Sequence, residues 1–339
     1  MKNLLIITQK VDAEDQLLGF FIPWLQRFAR RFAQIHVLCL EKGRADLPDN
    51  VHVHSMGKDM GASKLEQLIR FYKLTYSLRH SYDVVFVHMN PIWVVLGGWW
   101  WHLLGKRIYF WYTHKSVTLK LHIAEYFADV IFTASKESFR LPSKKVVITG
   151  HGIDTELFSP TTSEGDSTLS ILTVGRIAPV KNYEVLVDAV SVLKNRAITV
   201  TIVGEPALDA DRAYEKDLQK KIHELGLSKQ FIFKGKIQHK DLAQVYQSHD
   251  LFVHMSRTGS LDKTLLEAMA CGMRVVSSND AARAFLPSEA IFSEDDFQDL
   301  AEKIRSAISS LITGDLREYV VMHHDLNTLI DTISKSMQV

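Results

Sequence analysis

Along the chain, short apolar runs alternate with longer stretches in which apolar residues recur every three or four positions. The first half starts with "NLLIIT", a buried-strand pattern, then places Phe21, Trp24, Leu25, Phe28 and Phe32 at helical spacing, then returns to a strand with "IHVLCL". Arg27, Arg30 and Arg31 fall mostly off that helix's apolar face. The alternation continues through "LEQLIRFYKLTYSL", "DVVFVHM", a helix capped by Asn90 with Pro91 at its first position, "RIYFWYTH", "LKLHIAEYFA", "DVIFTAS" and "KVVITG". A polar stretch, "SPTTSEGDST" (159–168), interrupts it and reads as an interdomain linker. The rhythm then restarts with "LSILTVG", "NYEVLVDAVSVLKNR", "ITVTIVG", "DLQKKIHELG", "QFIFKG", "KDLAQVYQSH", "DLFVHMS", "LDKTLLEAMA" and "RVVSS". Strands alternating with helices predict the α/β class, here two doubly wound, Rossmann-like domains with parallel sheets covered on both faces. The expected boundaries are 1–158 for the first domain, 159–320 for the second, and 321–339 for a terminal helix.

Length agrees, since 339 residues exceed one ordinary core and suit two domains. The net charge of +1 argues against broad capture of nucleic acid, so any binding site must be local. Cys39 and Cys271, the sole cysteines, are too few for a disulfide framework and favour a reducing, cytoplasmic setting. The opening "MKNLLIITQKVDAEDQ" lacks the features of an export signal. The most apolar region, 91–112, is interrupted by Gly97-Gly98 and by Lys106-Arg107, and reads as helix, turn and strand rather than a membrane span.

In open parallel sheets a ligand binds outside the carboxyl ends of the strands. That rule selects Gln9-Lys10, His88, His114 and Ser135 in the first half, and Arg176, Gly204-Glu205, Lys236, Ser256 and the loop 259–263 in the second. In "VGRIAPVKN" (174–182) Arg176 follows a strand, and Lys181 precedes Asn182, a candidate helix cap. Two cations beside a helix start suit an anion, each hydrogen bond to a phosphate adding about 1.5–3 kcal/mol. They would otherwise be solvated surface charges. The segment "GSLDKTLLEAMACG" (259–272) starts a second helix after a glycine-containing loop. Lys263 and Glu267 share a face there, which allows a surface ion pair, but the apolar surroundings of Glu267 call for a hydrogen-bonding partner such as ribose hydroxyls.

"VGRIAPVKN" followed by "LLEAMACGMRVV", with "GHGIDTELFSP", "TIVGEP", "IFKGKI" and "YQSHDLFVHMS" between or before them, resembles the family 4 retaining glycosyltransferases of the GT-B fold. The resemblance implies two Rossmann-like domains facing across a cleft, with a nucleotide-sugar donor on the second. Arg176 and Lys181 would meet its diphosphate, Glu267 its ribose, and backbone at Lys236 and Ile237 its base, with Ser260, Leu261 and Lys263 completing the donor site. His114 would approach the sugar as the catalytic histidine, with His88 as a rival; either would otherwise be a satisfied buried ring.

One position departs from the family pattern: Gly259 stands where a first glutamate is usual, eight positions before Glu267. Asp262 would take over contact with a sugar hydroxyl, or simply cap its helix. The resemblance implies no metal and no other cofactor, so "LDADR" (208–212) is expected to be a solvated loop. The acceptor, a saccharide or a lipid-linked sugar, would dock on the first domain near Gly19, Phe20 and His88. Phe20, Phe21, Trp24 and the tryptophans at 93 and 99–101 are expected to be core, and would offer a peripheral membrane contact if exposed. The terminal helix would pack back on the first domain. The implied function is sugar transfer in cell-envelope polysaccharide or glycolipid assembly. The alternatives are a nucleotide-sugar epimerase and a catalytically silent binding subunit. A dinucleotide dehydrogenase is disfavoured by the missing G-x-G-x-x-G turn.

Overall fold

The computed structural model describes residues 1–15, 17–161, 168–193, 197–259, 261–309 and 316–338. The chain divides into two units, Met1–Asp154 with His324–Val339, and Thr155–His323.

In the first unit the elements run β1 (Leu4–Val11), α1 (Phe21–Ala29), β2 (Ile35–Lys42), β3 (Val51–Ser55), α2 (Lys64–Ser77), β4 (Val84–His88), α3 (Pro91–Leu103), β5 (Arg107–Trp111), α4 (Leu119–Phe127), β6 (Val130–Thr133) and β7 (Val146–Ile148). In the second they run β8 (Leu169–Val174), α5 (Tyr183–Val192), β9 (Ile198–Val203), α6 (Asp209–Glu224), β10 (Phe231–Gly235), α7 (Leu242–Gln247), β11 (Leu251–His254), α8 (Lys263–Ala270), β12 (Arg274–Ser277) and α9 (Phe297–Ser309). Then come α10 (Leu316–His324) and α11 (Leu326–Gln338).

All strands are parallel, ordered β3-β2-β1-β4-β5-β6-β7 in the first sheet and β10-β9-β8-β11-β12 in the second. Each order reverses once, between β1 and β4 and between β8 and β11, and the carboxyl ends flanking such a reversal form a crevice. The apolar runs supply the central strands: Leu4, Leu5, Ile6 and Ile7 of β1 are all fully buried, as a strand covered on both faces requires.

One face of the first sheet is covered by α1 and α11, where Phe21, Trp24, Leu25 and Phe28 pack with Leu326, Leu329, Ile330 and Ile333. The other is covered around Phe71 of α2, Trp93 and Trp101 of α3, and Leu121 and Ala124 of α4. Asn90 caps α3, accepting from the Ile92 amide at 3.3 Å, with Pro91 in the first turn. Gly97 and Gly98 do not interrupt this helix. A side chain at Gly98 would stand 2.5 Å from the Phe127 ring, so the missing Cβ lets α4 pack against α3. The break falls at Gly105 instead. Arg27, placed off the apolar face by spacing, is in fact buried, where it pairs with Asp154 at 3.0 Å and donates to Asn327 at 2.7 Å.

The polar stretch at 159–168 is not where the units divide. Ser159 belongs to the second unit, its carbonyl accepting from Gln247 Nε2 at 2.6 Å, and Pro160 lies against Gly272. Residues 162–167 of that stretch lie outside the described residues. No described helix is long and apolar enough to cross a membrane.

Candidate active site

The carboxyl ends of β8 and β11, neighbours at the reversal of the second sheet, hold a chain of polar groups in which His254 and Ser277 are buried and Lys181 and Asp262 half-buried. Lys181 ends a short 3-10 turn after β8, and its Nζ lies 2.5 Å from Asp262 Oδ2. The same oxygen lies 3.0 Å from His254 Nε2 at the end of β11, and His254 Nδ1 lies 3.1 Å from Ser277 Oγ at the end of β12. Thr258 Oγ1 donates to the other Asp262 oxygen at 3.3 Å. Burial by itself would raise the Asp262 carboxyl, but the Lys181 charge and the His254 hydrogen bond outweigh it and hold the group well below the usual carboxylate range. Asp262 occupies the cap position of α8, yet its side chain makes no capping bond. Its carboxylate is committed to Lys181 and His254, which corrects the reading of a simple helix cap.

Arg176, in the loop after β8, points its Nε toward Asp211 Oδ2 at 3.7 Å. Asp211 is buried and accepts from the amides of Ala207 and Leu208, so "LDADR" is the opening turn of α6 and not a solvated loop. Asn182 directly precedes α5 with a φ of +55°, but its side chain donates to Asp295 rather than capping the helix. Lys236 follows β10, its amide donating to Glu205 Oε1 at 3.3 Å, with Ile237 next to it.

Glu267 is buried on α8 and has two protein donors: Tyr246 Oη at 3.0 Å on Oε2, and His239 Nε2 at 3.3 Å on Oε1. Phe158 packs edge-on against both donor rings, 5.3 Å from His239 and 5.8 Å from Tyr246. The need of this carboxylate for donors is therefore met inside the protein, and the ion pair with Lys263 is not what meets it. Burial pushes the Lys263 ammonium down to about 7 against the opposing charge of Glu267. Leu261 is buried in the loop before α8, and Ser260 lies outside the described residues. Gly259 has a φ of +64°, where a glutamate would cost about 1–2 kcal/mol of backbone strain. The local backbone thus accounts for the glycine at this position.

In the first unit, His88 ends β4 fully buried, with Nδ1 3.1 Å from Thr8 Oγ1 and its ring stacked 4.2 Å from Phe21. Phe20 stands edge-on to it at 6.1 Å and Trp24 lies at 5.8 Å. Gly19 is held by its amide to Asp15 O at 2.9 Å. Lys10 fixes this loop from below through Asp15 at 2.8 Å and Asp12 at 3.4 Å. Burial opposes the Lys10 charge, but the two carboxylates outweigh it and raise its pKa to about 12. His114 follows β5 and is exposed, its Nδ1 accepting from the Ser116 amide at 3.1 Å. Phe21, Trp24, Trp93 and Trp101 are core, Phe20 and Trp100 are half-buried, and Trp99 is exposed.

Four functional-looking side chains escaped the sequence reading: His254, Ser277, Tyr246 and His239. The strand-end rule reaches His254 and Ser277, which terminate β11 and β12. No local pattern ties Tyr246 or His239 to Glu267. A separate polar cavity, lined by Thr161, His249, Asp250, Gly272 and Arg274, lies where β11 and β12 begin, at the opposite end of the sheet from this network. Among the described residues no group of three or more His, Cys, Asp or Glu could hold a metal ion.

Residues 154–320 match the family model described as glycosyl transferases group 1. The chain is 33% identical over 110 residues to the mannosylfructose-phosphate synthase of Agrobacterium fabrum, covering 31% of this chain and 24% of that protein. It is 29% identical over 163 residues to the lipopolysaccharide core biosynthesis mannosyltransferase LpsB of Rhizobium meliloti, covering 45% and 46%. It thus spans between about a quarter and a half of the length of these curated relatives. Among solved structures, Anabaena HepE in complex with UDP superposes with a TM-score of 0.79 at 20% identity over all of both chains. Sucrose-phosphate synthase from Thermosynechococcus elongatus gives 0.79 at 16% identity over 100% and 98%. The chain has the GT-B fold, and residues 154–320 are similar to the glycosyl transferases group 1 family.

Proposed function

We propose that the chain is a retaining, metal-independent glycosyltransferase that moves a sugar from a nucleotide-sugar donor to a saccharide or lipid-linked acceptor. The setting would be cytoplasmic assembly of a cell-envelope polysaccharide or glycolipid. The observation that carries this reading is Lys181, held by Asp262 at the carboxyl ends of β8 and β11, inside the group 1 region. An ammonium has three donors, and the Asp262 bond uses one, leaving two for diphosphate oxygens. Arg176 would supply a second cation, and backbone at Lys236 and Ile237 would meet the base. UDP and UDP-glucose occur in the HepE complexes, which supports a uridine nucleotide as the first donor to try.

Departure of the diphosphate builds negative charge on its leaving oxygen, and preorganised cations lower that barrier because they need not reorient. Glu267 would accept from ribose with its remaining lone pairs. Asp262 acts here by positioning Lys181 rather than as a free sugar ligand. His114, exposed beyond β5, is assigned to the sugar, and Gly19, Phe20 and His88 to the acceptor side. The test is a thermal-shift screen against nucleoside diphosphates and their sugar conjugates, followed by product analysis with the best donor. A selective shift and a product of retained anomeric configuration support the assignment. Turnover of donor without any acceptor would make the chain an epimerase, and absence of any nucleotide shift would sink the donor-site reading.

A further inference from the structure

The polar cavity at the start of β11 and β12 lies within the second unit and has a volume of about 270 Å³. Sites for drug-sized ligands run to about 300–1,000 Å³, so this one suits a smaller molecule. It is built at the amino ends of the strands, whereas Lys181 and Asp262 lie at their carboxyl ends. It is therefore no part of the candidate donor site.

Several lining groups are already committed. Tyr246 gives its hydroxyl proton to Glu267 at 3.0 Å, and Gln247 gives Nε2 to the Ser159 carbonyl at 2.6 Å. His249 Nδ1 lies 2.7 Å from the Val245 carbonyl, which can only accept, so the ring proton sits there and Nε2 accepts from Thr201 Oγ1 at 2.9 Å. Burial lowers the His249 pKa, and near neutral pH the ring adds no charge to the cavity. Asp250 Oδ2 accepts from the Ser170 amide at 2.8 Å and the Ser170 hydroxyl at 2.5 Å. What remains is the Arg274 guanidinium, Asp250 Oδ1, Gln247 Oε1 and the Thr161 hydroxyl. Arg274 stands opposite Leu251 in the strand ladder, one residue from Asp250, yet among the described residues its guanidinium makes no hydrogen bond or ion pair. Both charges are half-buried. Opposite charges on neighbouring strand starts, partly desolvated and left apart beside a cavity, favour a molecule that pairs with both.

We propose that this cavity binds a small hydroxylated oxyanion, a sugar phosphate or a sugar acid. Its anionic group pairs with the Arg274 fork, and its hydroxyls donate to Asp250 Oδ1 and Gln247 Oε1 and accept from Thr161. A single cation limits the ligand to one anionic group. Hydroxyls suit the rest of the wall because they both donate and accept, whereas a bare inorganic anion would leave Asp250 facing like charge. The inference does not rest on the donor-site reading, which uses none of these uncommitted groups.

Isothermal titration calorimetry of the whole chain with glucose 6-phosphate, gluconate, inorganic phosphate and glutamate tests it. Saturable binding is expected for glucose 6-phosphate or gluconate, and whichever binds more tightly tells phosphate from carboxylate. Arg274→Gln should weaken that binding about thirtyfold while keeping the parent melting temperature. Lys181→Gln should leave the affinity unchanged, which separates this site from the carboxyl ends of the strands. If Arg274→Gln misfolds, Thr161→Glu takes its place: the position is exposed, and a carboxylate there should lower affinity about fivefold. No binding of either hydroxylated anion overturns the proposal. Binding that survives both cavity variants, or that is lost in Lys181→Gln, also overturns it. So does inorganic phosphate or glutamate binding as tightly as the hydroxylated anions.

Discussion

At the carboxyl end of β4 the first unit gathers His88, Thr8, Phe20, Phe21 and Trp24, a mostly aromatic cluster with a His88–Thr8 hydrogen bond and ring contacts. At the carboxyl ends of β8 and β11 the second gathers Lys181, Asp262, His254 and Ser277 in a continuous polar chain, with Glu267, Tyr246 and His239 on α8 and α7 and the turn before it. The same strand-helix architecture thus presents two kinds of rim. Aromatic packing tolerates exchange of one ring for another at modest cost. A buried ionic chain does not, because removing any member leaves its neighbours desolvated and unmatched. The second rim should therefore respond far more strongly than the first to single substitutions, to pH and to charge.

The largest effect is expected for Asp262→Asn, which replaces the carboxylate shared by Lys181 and His254 with a neutral amide. Urea unfolding should show a loss of about 3 kcal/mol, and nucleotide-sugar turnover should fall by about a hundredfold. The same carboxyl gives the contrast a pH axis. Its folded pKa is depressed, so its contribution is present above the unfolded value of about 3.9 and is lost as pH falls below it. Melting temperatures of the parent should drop below about pH 4, and those of Asp262→Asn should be flatter there.

A smaller effect of opposite sign is expected for Lys263→Met. The folded pKa of about 7 lies below the unfolded value of about 10.4, so the unfolded chain binds the extra proton between them and stability rises with pH in that window. Below it the cost of a buried charge is fully present. The Lys263 ammonium is buried, so the variant should gain about 2 kcal/mol at pH 7 and lose the slope above it, readable by chemical unfolding at pH 7 and pH 10.

The smallest effect is expected in the first rim. His88→Phe keeps a ring against Phe21 and loses the Thr8 bond, costing about 1 kcal/mol and leaving nucleoside diphosphate affinity at the parent value. An equal loss of stability in His88→Phe and Asp262→Asn would erase the contrast between the rims.

Much of the architecture can be read from spacing, since strands buried on both faces are short apolar runs and the helices show one apolar side. The Asn90-Pro91 start of α3 is local chemistry and was legible. Gly97-Gly98 was not, because a glycine pair that ends a helix and one that admits a neighbouring ring look alike without the neighbour, Phe127. Asn182 and Asp211 departed from their expected roles for the same reason: the first found Asp295, 113 residues on, and the second found two amides and Arg176. In the candidate site, Lys181 stood out as a cation beside a helix start, Asp262 as a carboxylate in the loop before α8, and Glu267 as a charge in apolar surroundings. His254 did not, being the last residue of an apolar strand whose significance comes from Asp262, eight residues on. Tyr246 and His239 lie 21 and 28 residues from Glu267, and only folding makes them its donors.

The return of α11 to the first unit has a consequence for biogenesis. Tyr109 donates to Ser336 O and Lys2 to Met337 O, contacts that span 227 and 335 residues. During synthesis Arg27 of α1 precedes Asn327 of α11 by 300 residues, so α1 waits for its cover while the second unit is being made. Until then Phe21, Trp24, Leu25 and Phe28 present an uncovered apolar surface, the kind that holdase chaperones bind.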